Sequence, residues 1–313
     1  MQNKEKNFVS AVVYVRNEEK KIYDFLDKVN GILKDNFEKY EIICVNDASS
    51  DKSVEEIKRY AKTVKGGTIS VLNMSFYQGL ELSMNAGIDL SIGDFVYEFD
   101  SVKLTYPLDM IINIYHHSLT GYDIVAAAPS HKQKLMSRMF YHVFNKTSNT
   151  QYMLRTEAFR ILSRRAINRV HSVSATIPYR KVVYANCGLK MDCLEYDNEA
   201  SASDGDRDSV KLQKETAVNV MVLYTDVAYK FSIVFSALMM LLTIFSGIYT
   251  IYTYMTGRPV AGWTTTMMFL SFAFFGVFVI LTVLIKYVSL ILDLNFSKQK
   301  YIMGKRKILL RYP

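Results

Sequence analysis

Residues 92–107 read IGDFVYEFDSVKLTYP, and the rest of the chain can be read outward from them. Residues 95–99 have the aromatic and β-branched content of a buried strand. The strand runs into Asp100, and a polar turn follows that closes on Pro107. In α/β sheets ligands bind at the carboxyl ends of strands. A carboxylate placed there either starts a turn or holds a hard cation against a phosphate, and the neighbouring elements decide between the two.

Upstream, residues 8–15 (FVSAVVYV), 40–45 (YEIICV) and 68–72 (TISVL) are short apolar runs rich in β-branched residues, read as buried strands. Between them lie helical patterns. Ile22, Phe25, Leu26, Val29, Ile32 and Leu33 recur at helical spacing. Val54, Ile57 and Tyr60 do the same after a cap at Asp51 or Ser53, and residues 79–90 read as a third helix. Strands alternating with helices predict an α/β fold with a mostly parallel sheet flanked by helices. Asn17, Glu18, Asp47, Asn73 and Asp100 each fall just after a strand. In a parallel sheet those ends share one edge, so the five converge on a crevice suited to a nucleotide.

The runs VVYVRNEE (12–19), YEIICVNDASSDKS (40–53) and NMSFYQGLELSMNAGIDLSIGDFVYEFDS (73–101), with the spacing between them, resemble family 2 glycosyltransferases. The closest resemblance is to the polyisoprenyl-phosphate sugar transferases of the dolichol-phosphate mannose synthase and bactoprenol glucosyltransferase type. It implies a GT-A nucleotide-diphospho-sugar transferase fold, followed by two transmembrane helices. It also implies roles. Glu18 contacts the base and ribose. Asp47 matches the second Asp of a DDGS-like run, spelled NDAS here. Asp100 matches the first Asp of the Asp-x-Asp metal motif, which makes it the catalytic and metal residue for Mg2+ or Mn2+. Asn73 and Lys103 complete the nucleotide-sugar set.

Two departures stand out. The metal motif reads DSVKL, so Val102 occupies the second Asp position, and valine offers no oxygen ligand. Either Asp100 holds the metal alone with water and diphosphate oxygens, or Lys103 supplies charge to the phosphates directly. Glu98 would share a strand face with Asp100, either joining it or being satisfied elsewhere. Residues 148–154, SNTQYML, fall where the family reads GDFRL, which puts Gln151 in place of its Asp. An amide cannot take a proton, but an ionised lipid phosphate scarcely needs a base, and Gln151 would orient it. Arg155, Arg160, Arg164, Arg165 and Arg169 are either partners of acceptor phosphates or helix-surface charge.

Further along, residues 122–128 (YDIVAAA) read as a fifth strand, 131–146 as a basic amphipathic helix, and 182–196 as a hairpin or strand pair. The small polar run NEASASDGDRDS closes the soluble domain, taken as 1–208, and 209–230 reads as an amphipathic juxtamembrane helix. The chain of 313 residues has a net charge of +8 and 50 % hydrophobic residues, concentrated late. Residues 231–255 and 264–285 carry no charge, and each is long enough to cross a hydrocarbon core of about 30 Å. They form a hairpin, 231–290. The basic tail, 291–313, against a loop holding only Arg258 puts both termini and the large domain on the cytoplasmic side of the membrane. The tail also suits anionic lipid. Basic charge alone admits nucleic acid, but the apolar runs turn the reading to lipid and away from nucleic acid. Cys44, Cys187 and Cys193 have neither zinc nor disulfide spacing.

The expectation is a membrane-anchored enzyme moving a sugar from a nucleotide diphosphate sugar to a polyprenyl phosphate, with a homo-oligomer left open. The alternative, suggested by Val102 and Gln151, is a binding or scaffold partner on a degenerate transferase fold.

Overall fold

Val13 sits in register between Cys44 on one side and Phe99 on the other, and Cys44 faces Val71 in turn. These residues mark four parallel strands: β1 (Val9–Val15), β2 (Tyr40–Asn46), β3 (Thr68–Met74) and β4 (Phe95–Phe99). Helices α1 (Ile22–Asn36), α2 (Ser53–Ala61) and α3 (Leu80–Leu90) alternate with them. The computed structural model describes residues 4–64, 66–130, 135–147, 152–173, 179–197 and 303–310, with isolated helical positions between 234 and 291.

The chain continues through α4 (Met110–Ser118), β5 (Ile124–Pro129), α5 (Leu135–Thr147), β6 (Phe159–Ser163), α6 (Arg164–Val173), α7 (Arg180–Asn186), β7 (Met191–Tyr196) and β8 (Met303–Leu310). The eight strands form one sheet in the order β7-β5-β6-β4-β1-β2-β3-β8. The period of two in each strand divides the core. Ala11, Val13, Ile42 and Cys44 pack with Phe25, Leu26 and Val29 of α1 and Ile111 and Ile114 of α4. Val12, Ile43, Val45 and Leu72 pack with Met84 and Ile88 of α3 and Ile167 of α6 on the other face. α3 lies so close that Gly87 has no room for a side chain: an added Cβ would collide with Val12 and with Val45.

The outer strands depart from the expected pattern. β6 runs antiparallel to both β4 and β5. Residues 182–186, expected in a hairpin, are helix α7, and only Met191–Tyr196 is strand, parallel to β5. Part of the expected basic tail is β8, which pairs antiparallel with β3 and sets Lys305 opposite Asn73. This covers the β3 edge with backbone.

Residues 1–145, 150–205 and 298–313 form one compact unit, and 146–149 with 206–297 another. Among the described residues no helix is long and apolar enough to cross a membrane. The spans expected at 231–255 and 264–285 lie outside the described residues apart from isolated positions, as do the segment 209–230 and the loop between the spans. Those isolated positions are helical, and Val234, Phe245 and Val277 are exposed at 68 %, 70 % and 51 %.

Candidate active site at the carboxyl edge of the sheet

The ends of the four parallel strands meet as the sequence implies, because Val15 pairs with Asn46 and Asn46 with Asn73. Each predicted residue at this edge then has a definite setting. Asp47 is fully buried. Its carboxylate accepts from the backbone N–H of Gln78 at 2.8 Å, from that of Gly79 at 2.9 Å and from the Tyr14 hydroxyl at 2.9 Å. It therefore fastens the β3–α3 loop just ahead of α3, where a helix favours negative charge. Gly79 makes that turn at φ 85°, which only glycine adopts freely. Arg16 donates to the Asp47 carbonyl at 2.6 Å, and its guanidinium lies 3.8 Å from the centre of the Tyr77 ring.

Asn73 accepts a hydrogen bond from the Asn46 amide at 2.9 Å, so these two side chains tie β2 to β3 at the edge. Glu18 is half-buried, with Lys21 at 3.8 Å. Burial pushes its carboxyl up, and Lys21 and Lys103 pull it part of the way back. Lys103 is half-exposed in the turn that leaves β4. Asn17 and Ala48, in the loops between them, hold φ values of 52° and 51°. Such strained backbone is tolerated where surrounding contacts fix it.

Asp100 sits in a buried ion network. Glu98 and Asp100 point to one side of β4, as period two requires. Arg160, paired with Glu98 across the β4–β6 ladder, donates to Glu98 at 2.9 Å, to Asp100 Oδ2 at 2.9 Å and to Glu157 at 2.9 Å. Arg180, the first residue of α7, donates to Glu98 at 2.7 Å, to Asp100 Oδ1 at 2.7 Å and to Glu81 of α3 at 2.9 Å. Tyr184 donates to the other Glu98 oxygen at 2.5 Å. Lys181 lies 3.9 Å from Glu157. Arg160, Arg180 and Glu98 are at most 1 % exposed, and the Asp100 side chain keeps 17 %.

The electrostatics follow from that packing. Burial pushes the Asp100 carboxyl up, but Arg180, Arg160 and Lys181 together hold it well below the usual carboxylate range. At Glu98 burial wins over Arg180 and Arg160 and the carboxyl is raised. Even so, every polar neighbour donates to it, so the network needs it ionised.

A divalent cation does not fit this donor set. Each Asp100 oxygen already accepts from a guanidinium. Val102, at the second position of the metal motif, is 3 % exposed and belongs to the core beside Phe99 and Tyr106. Among the described residues no group of three His, Cys, Asp or Glu side chains could hold a metal ion.

Gln151 lies outside the described residues. The Phe-Arg of the family's GDFRL pattern recurs later, as Phe159-Arg160 in β6, with Ala158 where that register puts the Asp and Glu157 beside it. That pair of letters was the available signal for Arg160. Arg180, Glu81 and Tyr184 had none, because their partners lie between 80 and 99 residues away in sequence. Arg164 and Arg165 serve the fold instead: Arg164 donates to the Gly93 carbonyl, and Arg165 grips Asp123 with two nitrogens.

The family model described as glycosyl transferase family 2 matches residues 10–171. The chain belongs to glycosyl transferase family 2. YkcC of Bacillus subtilis, named as an uncharacterized glycosyltransferase, is 22 % identical over 95 % of this chain and 93 % of its own length. A glycosyltransferase of Synechocystis sp. is 27 % identical over 61 % of each chain. The prophage bactoprenol glucosyl transferase homolog of Escherichia coli is 27 % identical over 60 % of this chain and 62 % of its own length. The last two matches thus leave more than a third of each relative uncovered. Among solved structures, mannosyl-3-phosphoglycerate synthase from Rubrobacter xylanophilus superposes with a TM-score of 0.50 at 14 % identity. It covers 69 % of this chain and 72 % of the synthase. That likeness establishes the fold of the sheet domain as α/β, of the GT-A type.

Proposed function

We propose that this glycosyltransferase takes a sugar from a nucleotide diphosphate sugar and transfers it to a polyprenyl phosphate at the cytoplasmic face of a membrane. The observation that carries the reading is the in-register convergence of the carboxyl ends of β1, β2, β3 and β4, at or after which Glu18, Asp47, Asn73 and Lys103 stand in the chain, in a family defined by glycosyl transfer. Glu18 would meet the base and ribose. Asp47 would act at one remove, by fixing the loop before α3. Lys103, a compact point charge, would meet the diphosphate. Gln151 would orient the acceptor.

In the reaction an acceptor phosphate oxygen forms a bond to the anomeric carbon as the bond from that carbon to the β-phosphate oxygen breaks. The nucleoside diphosphate leaves with the electron pair. The acceptor is already ionised, so no residue need remove a proton. Catalysis rests on holding the two substrates in line and on positive charge facing the departing diphosphate.

The lipid acceptor is supported by relatives whose names specify one: the bactoprenol glucosyl transferases and the undecaprenyl-phosphate 4-deoxy-4-formamido-L-arabinose transferase of Pectobacterium atrosepticum. Membrane attachment is supported by the two uncharged runs and by the exposed apolar side chains at their helical positions.

The test is a panel of nucleotide sugars offered, with undecaprenyl phosphate, to the purified chain in lipid. The expected result is one donor that yields lipid-linked sugar and free nucleoside diphosphate. No product with any donor, while nucleotide still binds, would instead support a binding or scaffold role.

A further inference from the structure

Resting on that reading, we propose that this chain grips its donor's diphosphate without a divalent cation, the Arg160–Arg180 pair having taken the cation's place on Asp100. Three observations lead there. First, the two Asp100 oxygens are divided between the guanidiniums, one at 2.9 Å and one at 2.7 Å. A metal at Asp100 would have to share oxygens that each already accept a guanidinium N–H, from Arg160 and Arg180 side chains with almost no access to water. Second, the partner carboxylate a metal would need is absent, and Val102 fills its position by packing into the core. The turn is built around an apolar side chain there, so its backbone does not aim residue 102 at the crevice. Third, a divalent ion at Asp100 would lie against two fixed positive charges bonded to the same carboxylate, which repel it.

The same pair explains what replaces the ion. A divalent cation in such a site neutralises carboxylates of the protein and attracts the diphosphate. Here the first task is done internally. Arg160, Arg180 and Lys181 stand among Glu81, Glu98, Asp100 and Glu157, three cations to four carboxylates. The network is close to balanced before any ligand arrives, and the diphosphate does not meet a bare carboxylate cluster. The second task falls to a resident cation, Lys103, three residues beyond Asp100 in the turn that leaves β4.

The experiment uses the full-length chain in lipid nanodiscs. Binding of UDP, GDP, ADP, CDP and dTDP is measured by calorimetry in EDTA and again in excess Mn2+ or Mg2+. Bound Mn2+ is followed separately by electron paramagnetic resonance. The proposal expects one nucleoside diphosphate to bind with the same affinity, within about twofold, in all three media. It also expects no nucleotide-dependent Mn2+ signal that Asp100→Asn removes. Binding that is lost in EDTA and restored by Mn2+, or a stoichiometric Mn2+ signal abolished by Asp100→Asn, overturns the proposal and leaves the donor reading standing. Failure of every nucleotide to bind in any medium overturns the donor reading and this proposal with it.

Discussion

Replacing Arg180 with methionine should be among the most damaging single changes in the sheet domain. The side chain is fully buried and serves three carboxylates, those of Glu81, Glu98 and Asp100. Methionine keeps much of its volume but none of its charge, so Glu98 and Asp100 are each left with Arg160 as their guanidinium partner. Removing one member of a buried ion pair typically costs about 3–5 kcal/mol, because the other charge stays desolvated. For a domain of this size each kcal/mol lowers the melting temperature by about 2–4 °C, so a loss of about 6–20 °C is expected. Arg165→Met is the control. Arg165 also binds a carboxylate through two nitrogens, but its side chain is 70 % exposed, and Ser163 still donates to Asp123 without it. That change should leave the melting temperature close to that of the unaltered chain, because an exposed ion pair is screened by water. Thermal unfolding by circular dichroism reads both. Glu98→Leu alone should also be costly, and Arg180→Met with Glu98→Leu should cost less than the sum, by about 0.5–3 kcal/mol. An Arg180→Met protein as stable as Arg165→Met, or strict additivity in the cycle, would refute the reasoning about the network.

Three other expectations follow from particular contacts. Asp100 and Asp123 both have folded pKa values below their ordinary ones, Asp100 through Arg180 and Arg160, Asp123 through Arg165 and Ser163, in each case against burial. Their contribution is therefore present above the ordinary Asp value of about 3.9 and is lost as pH falls through the folded values. Asp100→Asn should flatten the acid limb of a stability-versus-pH curve, and an unchanged limb would contradict the assignment. Gly87→Ala drives a methyl into Val12 and Val45, and overpacking of this kind costs about 1–3 kcal/mol, measurable by thermal unfolding. Deleting residues 303–313 removes β8 and should strip hydrogen-exchange protection from those amides of residues 69–74 that face β8 while the ones facing β2 keep theirs, whereas retained protection throughout would mean the strand adds nothing.

The four central strands were legible because each is a short β-branched run ending in a polar residue, and residues 22–33 repeat at helical spacing. β6 was not. Its FRILS run is followed by two arginines, and Arg160 in isolation looks like surface charge; Glu98 across the ladder, with Asp100 and Glu157, makes burying it tolerable. α7 was read as strand because Val182, Val183 and Tyr184 favour strands, and local propensity gave way to the contacts of Arg180 and Tyr184 with β4. β8 looked like a tail because lysine and arginine crowd the apolar residues that follow. At the site, the sequence set Asn17, Glu18, Asp47, Asn73 and Asp100 at strand ends, and the parallel register of β1 to β4 brings those ends to one edge. What it could not convey was that Asp47 faces inward to hold a loop, or that the Asp100 oxygens are already taken. Both facts depend on residues distant in the chain.

The account stands or falls on where a nucleotide binds. A structure of the chain with the nucleoside diphosphate that calorimetry selects should place the diphosphate within hydrogen-bond distance of Lys103 Nζ, with the ribose and base beside Glu18 and the Arg160–Asp100–Arg180 contacts intact. Density for the nucleotide elsewhere, such as the depression lined by Ser130, Tyr141 and Arg155, would contradict it.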